Sequence, residues 1–564
     1  MRAKEEAMDG LTARNVATSF EYTPVPAYQP LDEALRRFGD RPAIDFLGKH
    51  WTWAEIGRLT NRAAAGLQKL GVTKGVNVGL CLPNTPYSVI MYYAVLKSGG
   101  TVVNFNPLYT LRELEKQIAE SNTSIIVSLD VAMIHGKIAQ LAAKNILKRI
   151  VVCSMTAALP GLKRLAYRLF KAKDLAKVPE QAPFIRFERL IAGAAAPAPV
   201  SIDPERDVAV MQFTGGTTGL PKAAQLSHAN ITVNVRQILE GGTPLIPGQE
   251  RIIGILPLFH VFAMTGVMNL GVAIGAELVL LPRMDLKQLM ATILKRKPTV
   301  MPGVPTLYTA VSGAAEAARQ KLTFIKFCVS GGAPIAAEAA LHFEQVSGCK
   351  IVEGYGLSET SPVVSLNPPG AIKLGSVGLP VPGTVVEIRD PDQPEVLRPQ
   401  GERGEICVRG PQVMLGYYNR PEETEAMFVD GAFRTGDIGY LDADGYLFIV
   451  DRIKDLILCG GYNVYPRVIE EAAYQHPAVQ DAIAIGVPDS YRGQAAKLFV
   501  TLRPNAKATP HEIKAFLSPH LNKIEMPREV EIRDSLPKTM VGKLSKKELV
   551  AEELAKAAQN TPHA

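Results

Sequence analysis

Between Phe213 and Lys222 the chain reads Phe213-Thr214-Gly215-Gly216-Thr217-Thr218-Gly219-Leu220-Pro221-Lys222. Glycines let successive backbone N–H groups turn toward one point, the threonine hydroxyls add donors, and Lys222 adds positive charge. That is the chemistry of a loop that holds a polyphosphate. It is not the common P-loop, in which glycine, lysine and Ser/Thr follow directly, because Leu220 and Pro221 separate Gly219 from Lys222. The bland alternative is a glycine-rich turn, but no packing demand calls for three threonines and a lysine among three glycines.

Four further runs carry residues suited to chemistry. They are Pro257-Leu258-Phe259-His260, Ser330-Gly331-Gly332-Ala333-Pro334, Glu353-Gly354-Tyr355-Gly356-Leu357-Ser358-Glu359-Thr360 and Phe433-Arg434-Thr435-Gly436-Asp437. Taken singly, each reads as a turn or a structural histidine. Their weight lies in occurring together and in this order.

The elements that must position them are legible in the hydrophobic pattern. An apolar run at 208–211 reads as a strand feeding the phosphate loop, and Ser227 is placed to cap a helix through Val233 and Ile238. Strand-like and helix-like segments alternate at 76–82, 85–96, 101–105, 111–121 and 124–128, and again at 252–256, 262–274, 277–281, 286–295 and 299–301. Two such blocks predict two related, mostly parallel sheets with helices on both faces, and ligands in such sheets bind beyond the carboxyl ends of strands. From Thr384 the pattern changes to short β runs, then, after a charged stretch at 451–455, to a small α+β region. Residues 1–29 read as an extended arm.

With 564 residues, 47% hydrophobic and 21% charged, the chain is large enough for several domains and a large core. A net charge of +7 is mild for this length; it suits anionic small molecules or an anionic membrane surface and gives no argument for nucleic acid. Six scattered cysteines, none in a C-x-x-C pair, read as buried free thiols in a reducing compartment. The acidic N-terminus is unlike a secretory signal and no stretch is long and apolar enough to span a bilayer, so a cytoplasmic location is expected. Leu162, Leu165, Ala166 and Leu169 share one helical face within a segment rich in Lys and Arg that ends at Lys173. Such a helix either lays its apolar side on the core or lies on the inner face of an anionic membrane.

Together, the five runs resemble the adenylate-forming superfamily of acyl-CoA synthetases, luciferases and nonribosomal-peptide adenylation domains, over about residues 31–549. Segments 430–439, 451–455, 461–466 and 536–543 are similar to the fatty acyl-CoA synthetase signature, as in bacterial long-chain fatty acid–CoA ligases. The resemblance implies an α/β fold: a large N-terminal domain, 1–450, of two doubly wound sheets plus a small β subdomain, then a small mobile α+β domain, 451–564. It implies an enzyme that uses ATP, Mg²⁺ and CoA to activate a medium- or long-chain fatty acid, or a dicarboxylic acid, through an acyl-adenylate. A homodimer is compatible with it.

Roles follow from the same resemblance. Thr214, Gly215, Gly216, Thr217, Thr218, Gly219 and Lys222 would hold the β- and γ-phosphates. Gly332, Ala333, Pro334, Glu353, Gly354, Tyr355, Gly356 and Ser358 would line the nucleotide, and Asp437 with Arg452 would take the ribose. Thr214 and Glu359 would bind Mg²⁺, a cation that wants oxygen ligands. His260 would lie near the substrate carboxylate, with Val261, Phe262, Gly303 and Val304, and beyond them Val363 and Val364, along the acyl chain. Lys543 would bring carboxylate and α-phosphate together, Lys454 would be the hinge, and Gly460 with Gly461 would approach the pantetheine arm of CoA.

The sequence departs from the family pattern in three places: Ala223 follows the loop lysine where glycine is usual, Leu458 stands where some relatives carry lysine, and Arg434 replaces a histidine. Two other readings compete. An acyl-AMP ligase loading a carrier protein is disfavoured, because no carrier-type Asp-Ser segment and no large insertion near the hinge are evident. A non-catalytic nucleotide-binding membrane protein is disfavoured by the joint presence of Lys543, Glu359 and Asp437.

Overall fold

Parallel pairing of short, fully apolar strands builds the larger part of the molecule. The computed structural model describes residues 20–194, 196–214, 221–459, 462–489, 492–539 and 544–559. One sheet has eight strands, in the order Gly416–Tyr417, Ala223–Ser227, Val208–Phe213, Thr101–Asn104, Asn77–Leu80, Ile125–Leu129, Arg149–Cys153 and Phe184–Arg186. Pairing is parallel from Val208–Phe213 outward and antiparallel at the other edge. A second sheet has nine strands: Leu379–Pro380, Val363–Leu366, Ile351–Gly356, Phe327–Ser330, Val300–Gly303, Arg251–Gly254, Glu277–Leu280, Pro42–Phe46 and Lys49–Thr52. The two blocks therefore form two sheets as expected. The block pattern did not show that the hairpin Pro42–Phe46/Lys49–Thr52 crosses over to edge the second sheet.

Strands such as Asn77–Leu80, Ile125–Leu129 and Val300–Gly303 are buried at every position because helices cover both faces. Helix Pro86–Lys97 is buried from Pro86 through Leu96, as a helix packed on all sides must be. It ties the blocks together: the Tyr93 hydroxyl donates to Asn269 Oδ1 at 2.7 Å. The single helix expected at 262–274 is instead three short pieces, Val261–Ala263, a π-helical turn Met264–Asn269, and Leu270–Ala273. Such wide turns often accompany functional sites. Here Thr265 uses its hydroxyl to donate to Ser361 O at 2.6 Å.

The β subdomain pairs Val385–Arg389, Gly404–Arg409, Phe428–Val429, Ala432–Leu441 and Leu447–Arg452 as a five-stranded sheet. The smaller C-terminal part is a second five-stranded sheet with helices Pro466–Tyr474, Pro510–Leu517 and Lys546–Gln559. The buried members of the apolar clusters preceding it end at Leu447, and those of its own clusters begin at Ile457. Among the contacts between the two parts, Arg503 pairs with Glu338 at 2.6 Å, and the Arg403 guanidinium lies 5.5 Å from the centre of the Tyr465 ring.

The six cysteines are free and buried, as expected. Among the described residues no helix is long and apolar enough to cross a membrane. Helix Gly161–Phe170 turns Arg164 and Tyr167 toward the body of the protein and leaves its leucines exposed. Packing of its apolar side on the core, one of the two expectations, is not what the structure shows.

Candidate active site

The glycine-threonine segment is cinched at its base. Phe213 pairs with Ala223 across two antiparallel strands, and Thr214 N donates to Lys222 O at 2.8 Å. A strand, Ala223–Ser227, thus stands between the loop and the helix, where the sequence had shown the helix alone. Ala223 lies in that strand, so its replacement of glycine strains nothing. Ser227 caps helix His228–Glu240 as expected: its Oγ accepts from Asn230 N at 3.0 Å, and Asn230 Oδ1 accepts from Ser227 N at 2.8 Å. Gly215, Gly216, Thr217, Thr218 and Gly219 lie outside the described residues, as do Gly460, Gly461 and Lys543. Beside Lys543, Ser545 N donates to Pro537 O at 2.9 Å, which draws the flanks of its segment together.

Glu359 sits on a short turn, Ser358–Thr360, at the end of the second sheet. It is buried, and the Tyr417 hydroxyl donates to its Oε1 at 2.8 Å. Burial pushes its carboxyl above the usual carboxylate range, against the opposing pull of Tyr417. Among the described residues it has no ion-pair partner. Lys222 stands over the Tyr417 ring, 4.9 Å from its centre, and pairs with Glu423 at 2.6 Å. Tyr417 therefore links the loop lysine to Glu359. Sequence reasoning passed it over, since no spacing rule joins two residues 58 positions apart on different sheets.

Asp437 is buried too, but has a partner on each oxygen. Tyr355 OH donates to its Oδ2 at 2.5 Å, and Arg452 Nε lies 3.0 Å from its Oδ1. Arg452 is its cross-strand partner, so the pairing of Ala432–Leu441 with Leu447–Arg452 places the cation. Arg434 pairs with buried Glu405 at 2.7 Å, and Glu405 accepts from Gly436 N at 3.2 Å, which shapes the turn into Asp437. The Lys454 ammonium faces both Asp437 and Glu359, and burial lowers its pKa. Asp437, Arg452, Glu359 and Lys454 are thus brought together from separate segments.

The runs 330–334 and 353–360 join strand ends to turns. Gly332 adopts φ +85°, a conformation that favours glycine, with Ala333 and Pro334 after it at the surface. Ile335 N donates to Glu353 Oε1 at 3.1 Å, and burial pushes the Glu353 carboxyl up to about 7. At Gly356 a Cβ would meet Pro362 O at 2.1 Å, so only glycine fits there. Gly354 lies one residue before Tyr355 in the strand Ile351–Gly356, and Ser358 opens the turn that carries Glu359.

His260 Nδ1 accepts from Phe262 N at 3.3 Å and caps the segment that follows. A Cβ on Gly331 would touch the Phe262 ring at 3.3 Å, and Gly331 N donates to Gly303 O at 3.2 Å. Val261 and Val304 are buried in the main core, whereas Val364 belongs to the core of the β subdomain. A narrow gap lined by Leu80, Tyr92, Asn104, Leu258, Phe259 and Met268 lies next to His260 in the chain. The cluster Asp45, His50 and Glu277 has metal-ligand types, but Arg296 already spans it, 2.8 Å from Asp45 and 2.5 Å from Glu277.

This fold and this grouping of buried acids, tyrosines and a cinched loop define an AMP-binding enzyme. Residues 31–418 match the AMP-binding enzyme family and residues 468–543 match its C-terminal domain; the chain belongs to that family. It is similar to a long-chain-fatty-acid–CoA ligase of Bacillus subtilis, 42% identical over 528 residues, 93% of this chain and 94% of that one. A ligase of the same name from Salmonella typhimurium is 37% identical over 547 residues, covering 93% and 94%. Among solved structures, ATP-bound MatB from Rhodopseudomonas palustris superposes with a TM-score of 0.81 at 27% identity, covering 94% of this chain and 99% of that one. The resemblance read from the motifs is borne out.

Proposed function

We propose that this chain is an ATP-dependent ligase that joins a medium- or long-chain fatty acid, with dicarboxylic acids within its range, to CoA. A carboxylate oxygen bonds to the α-phosphorus of ATP and pyrophosphate leaves. The CoA thiolate then bonds to the acyl carbon of the adenylate and AMP leaves. The first step brings two anions together, so it needs charge neutralisation more than a protein nucleophile. The observation that carries the reading is the pair of buried acids: Asp437 held by Tyr355 and Arg452, and Glu359 held by Tyr417 beside the loop lysine.

Asp437 takes the ribose hydroxyls with Arg452 beside it. Gly332, Ala333, Pro334, Glu353, Gly354, Tyr355, Gly356 and Ser358 surround the adenine. The loop from Thr214 to Lys222 takes the β- and γ-phosphates, and Lys222 exchanges Glu423 for them. Glu359, buried and without an ion-pair partner among the described residues, and the Thr214 hydroxyl are a hard oxygen set that fits Mg²⁺. When bound, the ion neutralises phosphate charge. His260 orients the acid, and Val261, Phe262, Gly303 and Val304 take the start of its chain. The division falls at 450/451, with Lys454 as the hinge. Lys543 serves adenylation, and Gly460 with Gly461 admit pantetheine in the second step. A cytoplasmic enzyme in peripheral contact with the inner membrane face through the segment from Leu162 to Lys173 completes the proposal.

The test is exchange of labelled pyrophosphate into ATP with Mg²⁺ and a panel of acids from short to long, with dicarboxylates and benzoate. No exchange with any acid ends the proposal. Lys543→Ala is expected to abolish exchange while sparing thioester formation from supplied acyl-adenylate; equal loss of both half-reactions removes Lys543 from this role.

A further inference from the structure

Helix Gly161–Phe170 is turned the opposite way from an ordinary surface helix. Its polar side is the one fastened down: Arg164 Nε donates to Thr156 O at 3.1 Å, and Lys163 Nζ donates to Leu47 O at 2.7 Å. Tyr167 packs against the main core. The side left outward carries Leu162, Leu165, Leu169 and Phe170, exposed by 87%, 58%, 66% and 82%. Burying these four against the protein would be the expected outcome of the hydrophobic effect, so their exposure marks an interaction face.

The surroundings specify the partner. Arg168, Lys171, Lys173 and Lys177 are exposed on the same segment. Six Lys/Arg stand against one Asp between 161 and 177. A β-bridge from Val131 to Leu175 ties the start of an earlier helix, Ala132–Ala143, to the same segment, and its first turn presents Met133, also exposed. An apolar ridge rimmed by cations fits an anionic lipid surface. Docking against a second copy of this chain would set two basic rims face to face, which charge repulsion opposes.

We propose that this ridge inserts Leu162, Leu165, Leu169 and Phe170 into the interfacial zone of an anionic phospholipid bilayer, while Arg168, Lys171, Lys173 and Lys177 meet headgroup phosphates. This rests on the peripheral placement proposed above and deepens it. It divides the cations of the segment into a lipid-facing set and a fastening set, Lys163 and Arg164, which are anchored to backbone carbonyls of the protein body. The ridge belongs to the eight-stranded sheet's outer edge, well away in the fold from the acids at Glu359 and Asp437, so it can rest on lipid without covering them.

The test is flotation of the full-length protein with phosphatidylglycerol/phosphatidylcholine vesicles and with phosphatidylcholine vesicles alone. Binding to the mixed vesicles, weakened by salt and much reduced on phosphatidylcholine, is the expected result. Lys171→Ala and Lys173→Ala each weaken it about fivefold, whereas Lys163→Ala changes it less than about twofold, its ammonium being engaged with Leu47. Leu165→Glu with Leu169→Glu abolishes it, and Phe170→Ser serves as a second, milder variant. No binding to mixed vesicles, or binding indifferent to these substitutions, overturns the proposal. So does a dimer in sedimentation that the leucine substitutions dissolve. Pyrophosphate exchange with a soluble medium-chain acid is measured on the same samples; its absence beside intact vesicle binding counts against the ligase reading and leaves this one standing.

Discussion

Asp437 and Glu359 are both buried acids at one opening, and they are treated differently. Asp437 has its charge balanced: a tyrosine hydroxyl on one oxygen and a cross-strand arginine on the other, with a lone pair left on each. Glu359 has Tyr417 and, among the described residues, no paired cation, so burial is left to raise its pKa. An acid with its charge already balanced serves as a fixed acceptor for neutral hydroxyls. An acid buried with cations near it but none directly paired is suited to a cation that comes and goes with substrate. The difference suits the two roles proposed for them, a nucleotide anchor at Asp437 and a metal ligand at Glu359.

The contrast can be broken most sharply at Glu359. Glu359→Gln is expected to lower pyrophosphate exchange about 10²–10³-fold, with little change in the affinity for AMP. If AMP affinity falls as far as exchange does, Glu359 is not a phosphate-side residue. Asp437→Asn is expected to do the reverse, raising KM for ATP about 10–100-fold through loss of charge-assisted hydrogen bonds while leaving the Mg²⁺ requirement unchanged; steady-state kinetics over a magnesium series read both. Tyr417→Phe removes one hydrogen bond from Glu359 and should raise the Mg²⁺ concentration for half-maximal rate about fivefold. A third acid sharpens the comparison with the smallest effect. The Glu353 carboxyl, pushed up to about 7 by burial, is neutral below that pH and charged above it. The pH profile of ATP binding should therefore bend near neutrality, and Glu353→Gln should remove the bend.

How much of this could be read beforehand depends on the range of the interaction. The strands, the Ser227 cap and the glycine turns are local, and periodicity and composition exposed them. Asp437 and Glu359 stood out because they end glycine-rich runs. Tyr417 did not, for it lies on a two-residue strand whose only sense is its pairing with Ala223–Ser227. The strand Ala223–Ser227 was hidden by its shortness and by the stronger helix signal behind Ser227. The hairpin Pro42–Phe46/Lys49–Thr52 joins the second sheet across more than two hundred residues, a register that no window of sequence contains. The orientation of helix Gly161–Phe170 was undecidable because its two faces, one greasy and one basic, suit either arrangement until Lys163 and Arg164 find their carbonyls.

The brief strand Gly416–Tyr417 has one more effect. It is hydrogen-bonded into the eight-stranded sheet, yet its tyrosine reaches an acid that belongs to the nine-stranded one. It works as a stitch across the seam between the two halves of the large unit. Parting the halves would pull that stitch together with the Tyr93–Asn269 bond, and because Lys222 stands over the same tyrosine ring, Glu359 and the base of the glycine-threonine loop would shift as one.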